Sequence, residues 1–160
     1  VDIPPLNLSV NTLTITAWVK RSGALNNNSG LVFMRGSTAS GLGIGANNRL
    51  GYHWNDTAAS YNFNSNLTLP DGEWAFAALV IEPNRAIFHL GRLNGTLTSA
   101  TNNTAHAVSA LTSNFRLASD STSSSRYFRG SLDEVGIWKR ALTRAEIGHA
   151  PHQRHSRRRH

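Results

Sequence analysis

The chain has 160 residues, 39% of them hydrophobic, which suits one ordinary domain able to bury about 70% of its unfolded surface. Its longest apolar run, WAFAALVI, is far short of the roughly 20 residues that cross a bilayer, so membrane insertion is not expected; the absence of cysteine excludes disulfides and thiol chemistry. The net charge of +7 belongs mostly to the chain end, because residues 149–160 carry four arginines and four of the seven histidines, and the rest is near +3.

No signal peptide opens the sequence, which reads as a mature chain or an excised module. TLTITAWVK alternates, with Leu13, Ile15, Ala17 and Val19 on one face and Thr14, Thr16, Trp18 and Lys20 on the other. Trp18 shares its face with polar residues, so either an open sheet surface or a covering loop meets it. Glycines then punctuate short apolar pieces, LVFM and LGIG, before LGYHWND at 50–56. WAFAALVI is apolar on both parities and predicts a central strand covered on both faces, with Trp74 in the core. AIFHLG, FRLAS and GSLDEVGIW follow, separated by polar turns such as EPNR and SDSTSSS. Only ALTRAEI predicts a helix: Thr143 and Glu146 have capping-box spacing, and Trp138 is expected to pack that helix onto the sheet. Many short strands with turns between them predict an all-β sandwich or barrel, and nothing marks a second domain.

Candidate chemistry is concentrated near LGYHWND. A sugar offers apolar C–H faces beside hydroxyls, so its site needs a flat ring with short polar or bidentate side chains nearby. Trp54 ends the strand and Tyr52 shares its parity, while His53 faces the other way with Asn55. Tyr61 follows a short polar turn and is placed to return as a hairpin partner. Trp54, Tyr52, His53, Asn55, Asp56, Tyr61 and Arg126 therefore form the candidate ligand set, with Trp54 as its principal contact. The competing reading makes Leu50, Tyr52 and Trp54 one apolar strand face, and Tyr52 fits that better.

Catalysis is not expected. Glycoside hydrolysis needs two carboxyl groups about 5–9.5 Å apart across one bond. Among the nine acids, Asp133 and Glu134 are adjacent and so alternate in face, while Asp71 and Glu73 flank a turn glycine. The basic tail offers a polyanion-binding or metal-binding reading, but no aromatic residues interleave its arginines. Residues 149–160 are read as a disordered terminus, and nucleic-acid binding is confined to them.

FRGSLDEVGIWKRALTRAEI, residues 128–147, resembles the closing segment of laminin-G-like domains of the concanavalin A-like lectin/glucanase superfamily. LTITAWVK is similar to an early strand of that family, and LPDGEWAFAALVIEPNRAIFHL to its central tryptophan strand and hairpin. The likeness covers residues 1–148 and implies a jelly-roll sandwich of two curved antiparallel sheets with one short C-terminal helix. It also implies a secreted or cell-surface accessory module that binds poly- or oligosaccharide without catalysis; the alternative is a protein-interaction or adhesion module. Structural Ca2+ is common in such domains. Asp133 matches Val135 and Ile137 in parity, so it is expected to face an apolar layer. There a Ca2+ ion, an arginine or backbone N–H groups would have to hold its charge.

Overall fold

Alternation sorts the side chains of the first long strand between two apolar layers. In β3 (Leu13–Arg21), Leu13, Ile15, Ala17 and Val19 enter the main core, while Trp18 turns to the opposite side. The computed structural model describes residues 1–120 and 124–149, so part of the SDSTSSS turn and the tail beyond His149 lie outside the described residues.

β1 (Asp2–Ile3), β4 (Gly30–Arg35), β5 (Ala39–Ile44), β6 (Leu50–His53) and β11 (Phe115–Leu117) form one sheet in the order β1-β11-β4-β5-β6. β7 (Trp74–Glu82), β8 (Arg85–Arg92), β9 (Leu97–Asn102) and β12 (Gly130–Trp138) join β3 in the second, ordered β12-β3-β7-β8-β9. β2 (Leu8–Val10) and β10 (Ser109–Leu111) pair separately. Every pairing between these strands is antiparallel, and the two facing sheets enclose one core, which is the expected jelly-roll sandwich.

WAFAALVI is the central strand of the second sheet, and its two parities feed two clusters. Ala75, Ala77, Leu79 and Ile81 join the sandwich core, while Phe76, Ala78 and Val80 join Trp18 outside it. A short helix, α2 (144–149), closes over that outer cluster through the buried Ile147. Its start is the expected capping box: Thr143 Oγ1 accepts the Glu146 N–H at 3.2 Å, and Glu146 accepts the Thr143 N–H at 2.8 Å. Thr14 fixes the approach to this helix, donating to the Arg140 carbonyl at 2.7 Å and accepting the Leu142 N–H at 2.9 Å.

Two tryptophans differ from expectation. Trp74 begins its strand on the outer side and is only half-buried against the outer cluster. Trp138 is 38% exposed, and its ring lies across the bare Cα of Gly136 rather than under α2. The glycine leaves the space that the indole fills.

Asp133 also departs from its expected orientation. The β12–β3 register shifts between Asp133 and Gly136, and Glu134 takes a left-handed φ of 46°. This bulge reverses the parity, so Leu132, Val135 and Ile137 pack on the core while Asp133 is exposed and accepts the Glu134 N–H at 2.8 Å. Among the described residues no three His, Cys, Asp or Glu side chains converge, and Asp133 does not face the apolar layer where a cation was expected to hold its charge.

Candidate functional site

The outer face of the first sheet carries a polar network built on a largely glycine surface. β5 and β6 send Leu42, Ile44, Leu50 and Tyr52 inward, leaving Gly41, Gly43, Gly51 and His53 outward. Gly41 has φ +146°, and a Cβ there would stand 2.4 Å from the Val32 carbonyl oxygen. Phe33 and Arg35 of β4 face the same way. The His53 ring meets Phe33 edge-on at 5.0 Å, and the Arg35 guanidinium lies 5.7 Å from the Phe33 centroid.

Ser119 and Asp120 come across this face because Gly30 leaves room for them: a Cβ at Gly30 would lie 2.5 Å from the Ser119 carbonyl. That approach delivers Asp120, which is fully buried, to the Arg35 fork at 2.7 and 2.9 Å and to Arg126 at 3.2 Å. The hydrogen bond to Asp120 raises the pKa of Arg35 further. Asp56 closes the other side, 3.7 Å from Arg35 and 3.3 Å from His53 Nδ1, while accepting the Ala39 N–H at 3.0 Å. Burial lowers the His53 pKa in spite of Asp56, so the ring is neutral near pH 7.

A cleft of about 190 Å3 opens beside this network at the β6 edge. Its walls are the loop at Asn27, the turn 45–49 and the segment following α1 (Ala58–Tyr61). The walls are tied to the sheet: Asn28 N–H donates to Ile44 O at 2.7 Å, Asn48 Oδ1 accepts the Leu25 N–H at 2.7 Å, and Ser65 Oγ donates to Leu50 O at 2.6 Å. Tyr61, 40% exposed, leans on His53 at 5.4 Å and presents its ring to the cleft. Arg49 donates one Nη1 bond to Asn64 Oδ1 at 3.0 Å. Among the described residues, the side-chain amides of Asn27 and Asn62 and the remaining Arg49 donors meet no protein partner. A larger cleft of about 350 Å3, lined by Lys20, Arg21, Ser22, Asp71 and Ser131, contains no aromatic ring.

The expected ligand set is thereby divided. Trp54 is 1% exposed in the sandwich core and donates Nε1–H to the Ala107 carbonyl at 2.7 Å, so its ring has no face to offer a ligand. Tyr52 is core as well; its hydroxyl meets His106 Nε2 at 2.8 Å and accepts from Asn102 at 2.9 Å, and burial raises its pKa. The competing reading of Leu50, Tyr52 and Trp54 as one apolar face describes them correctly. Asn55 anchors a loop by donating to the Ala107 and Val108 carbonyls. His53, Asp56 and Arg126 belong to the outer network, and Tyr61 alone of the set lines the cleft, from a helical turn rather than a hairpin strand. Arg35, Arg49, Asn27, Asn62, Asn64 and Asp120 were not anticipated. The visible signals were two asparagine clusters, at 26–28 and 62–66, on either side of the strand.

A laminin-G-type family model, described as the concanavalin A-like lectin/glucanases superfamily, matches residues 1–148. No curated protein matches the chain. Among solved structures it is similar to domain 4 of AbnA, an extracellular arabinanase from Geobacillus stearothermophilus in complex with arabinotriose, at 20% identity and TM-score 0.70, covering 92% of this chain and 70% of that one. It is also similar to a heptameric pentraxin from Limulus polyphemus (14% identity, TM-score 0.65, 91% and 71% covered). A Trypanosoma rangeli sialidase matches at 14% identity and TM-score 0.58, with 86% of this chain but only 22% of that chain covered.

Proposed function

The chain belongs to the concanavalin A-like lectin/glucanase superfamily, and from that premise we propose that it is a noncatalytic carbohydrate-binding domain whose site is the Tyr61–Arg49–asparagine cleft. The observation that carries this reading is an exposed ring beside amide and guanidinium groups whose hydrogen-bonding capacity the protein leaves unused. A ring supplies rigid contact area against sugar C–H faces, and amides supply paired donors and acceptors for vicinal hydroxyls. The arabinanase domain seen with arabinotriose supports the reading as a neighbour in fold.

The commitments of the two acids in the outer network support binding rather than hydrolysis. Asp120 is enclosed and Asp56 is committed to Arg35, His53 and a backbone N–H, which leaves neither positioned as a proton donor to a glycosidic oxygen. A shallow site with one ring binds weakly, near millimolar or about 4 kcal/mol, and becomes useful as a tether that raises local concentration. Such a role belongs to a secreted or cell-surface setting, where glycan polymers are met.

The test is affinity electrophoresis against a panel of soluble polysaccharides. Wild type should be retarded by at least one, and Tyr61→Ala should run freely while melting as wild type does. A folded Tyr61→Ala protein that is still retarded would remove the cleft from consideration.

A further inference from the structure

We propose that the saccharide taken by this cleft is acidic, and that Arg49 receives its carboxylate. This rests on the reading of the cleft as a glycan site and adds the charge of the sugar. Arg49 is the sole residue with a formal charge in the lining; the polar remainder is made of asparagines and Tyr61. Arg49 is partly buried as a residue, while its guanidinium reaches the exposed mouth of the cleft, where the bond from Nη1 to Asn64 Oδ1 at 3.0 Å orients the fork. Nε–H and Nη2–H meet no acceptor among the described residues, so one edge of the fork, with two parallel donors, remains unmatched.

A cation with two parallel donors unmatched and no counter-charge in the cleft is a ready partner for an anionic ligand. Carboxylates elsewhere do not do so. Asp56 is turned to Arg35, His53 and the Ala39 N–H, and Asp120 to Arg35 and Arg126. A planar carboxylate matches two parallel N–H groups in both geometry and charge, whereas a neutral hydroxyl satisfies only one of them. The cleft volume of about 190 Å3 corresponds to roughly six water molecules, enough for a carboxylate and part of its ring to displace them. With the sugar face on Tyr61 and the carboxylate on Arg49, Asn27 and Asn62 remain for the ring hydroxyls.

The experiment compares uronate polymers (polygalacturonate, alginate, glucuronoxylan and hyaluronan) with their methyl-esterified and carboxyl-reduced forms. Affinity is read by electrophoresis and titration calorimetry at physiological salt. Expected is binding to at least one acidic polymer, weakened about tenfold or more by esterification, since that step removes a charge-assisted bidentate contact. Arg49→Gln should abolish the preference for the acidic form, Arg49→Lys should restore part of it, and Tyr61→Ala should weaken acidic and neutral forms alike. Equal affinity for acid and ester overturns the proposal while leaving the glycan reading intact. An acid preference that survives Arg49→Gln also overturns it. Failure of every acidic and neutral polymer to bind removes both.

Discussion

Replacing Asp120 with asparagine should be the most damaging near-isosteric change on the outer face. Asp120 is fully buried and holds the Arg35 fork at 2.7 and 2.9 Å, with only 17% of the Arg35 side chain exposed. Removing one member of a buried ion pair costs about 3–5 kcal/mol, and because Asp56, 3.7 Å from Arg35, still holds part of the remaining charge, the lower end of that range is expected. Against a total stability of about 5–15 kcal/mol for a domain, this is roughly a fifth or more, and it corresponds to a melting shift of roughly 10 °C at this chain length. The assay is urea unfolding followed by tryptophan fluorescence, for which the enclosed Trp18 and Trp54 are native reporters. The double variant Arg35→Met/Asp120→Leu removes both charges, so it should recover most of the loss; Arg126, one-third exposed, can turn to solvent. A cost for Asp120→Asn below about 1 kcal/mol, or a double variant no more stable than the single one, would refute the reasoning.

Three further outcomes are expected. Trp54→Phe should lower stability by about 1–3 kcal/mol through lost packing and the lost bond to Ala107, yet leave polysaccharide retardation unchanged; lost retardation in a folded variant would return Trp54 to the site. Stability should fall as pH drops below about 6.5, because burial depresses the His89 pKa to about 4 while the unfolded histidine protonates near its ordinary value. The loss accumulates to roughly 3 kcal/mol by pH 4, and His53 and His106, also depressed by burial, act in the same direction; His89→Gln should flatten the profile measured by denaturant titration. Asp133→Ala should change stability by less than about 0.5 kcal/mol and leave any effect of calcium on melting as in wild type, since the carboxylate is exposed; a calcium-dependent melt abolished by this variant would show a ligand role.

Local patterning carried the layers of the fold and carried little of the site. Alternation in TLTITAWVK and the double parity of WAFAALVI are statements about neighbouring residues, and both appear in the sheets as read. The ambiguity at Trp18 was real: its polar neighbours Thr14 and Thr16 are buried too, because α2 and its connection come back over them. Trp54 failed as a ligand contact for a non-local reason, since the chain near Ala107, 53 residues away, covers it. Asp133 was misplaced because one left-handed residue, Glu134, reverses every parity that precedes it in the strand. The Arg35–Asp120 pair joins residues 85 apart, and no spacing rule announces such a partner. Tyr61 was legible as an exposed ring, whereas the asparagines beside it became informative only once two loops were known to meet.

The position of α2 has a practical consequence. It lies against the outside of the β12-β3-β7-β8-β9 sheet, whereas the cleft opens at the β6 edge of the opposite layer. A resin, sensor chip or fused enzyme attached at α2 joins the molecule on the layer opposite the cleft, which is left looking outward. Immobilised assays that attach the protein there will therefore report the cleft unobstructed, and attachment near Asn47 would mask it.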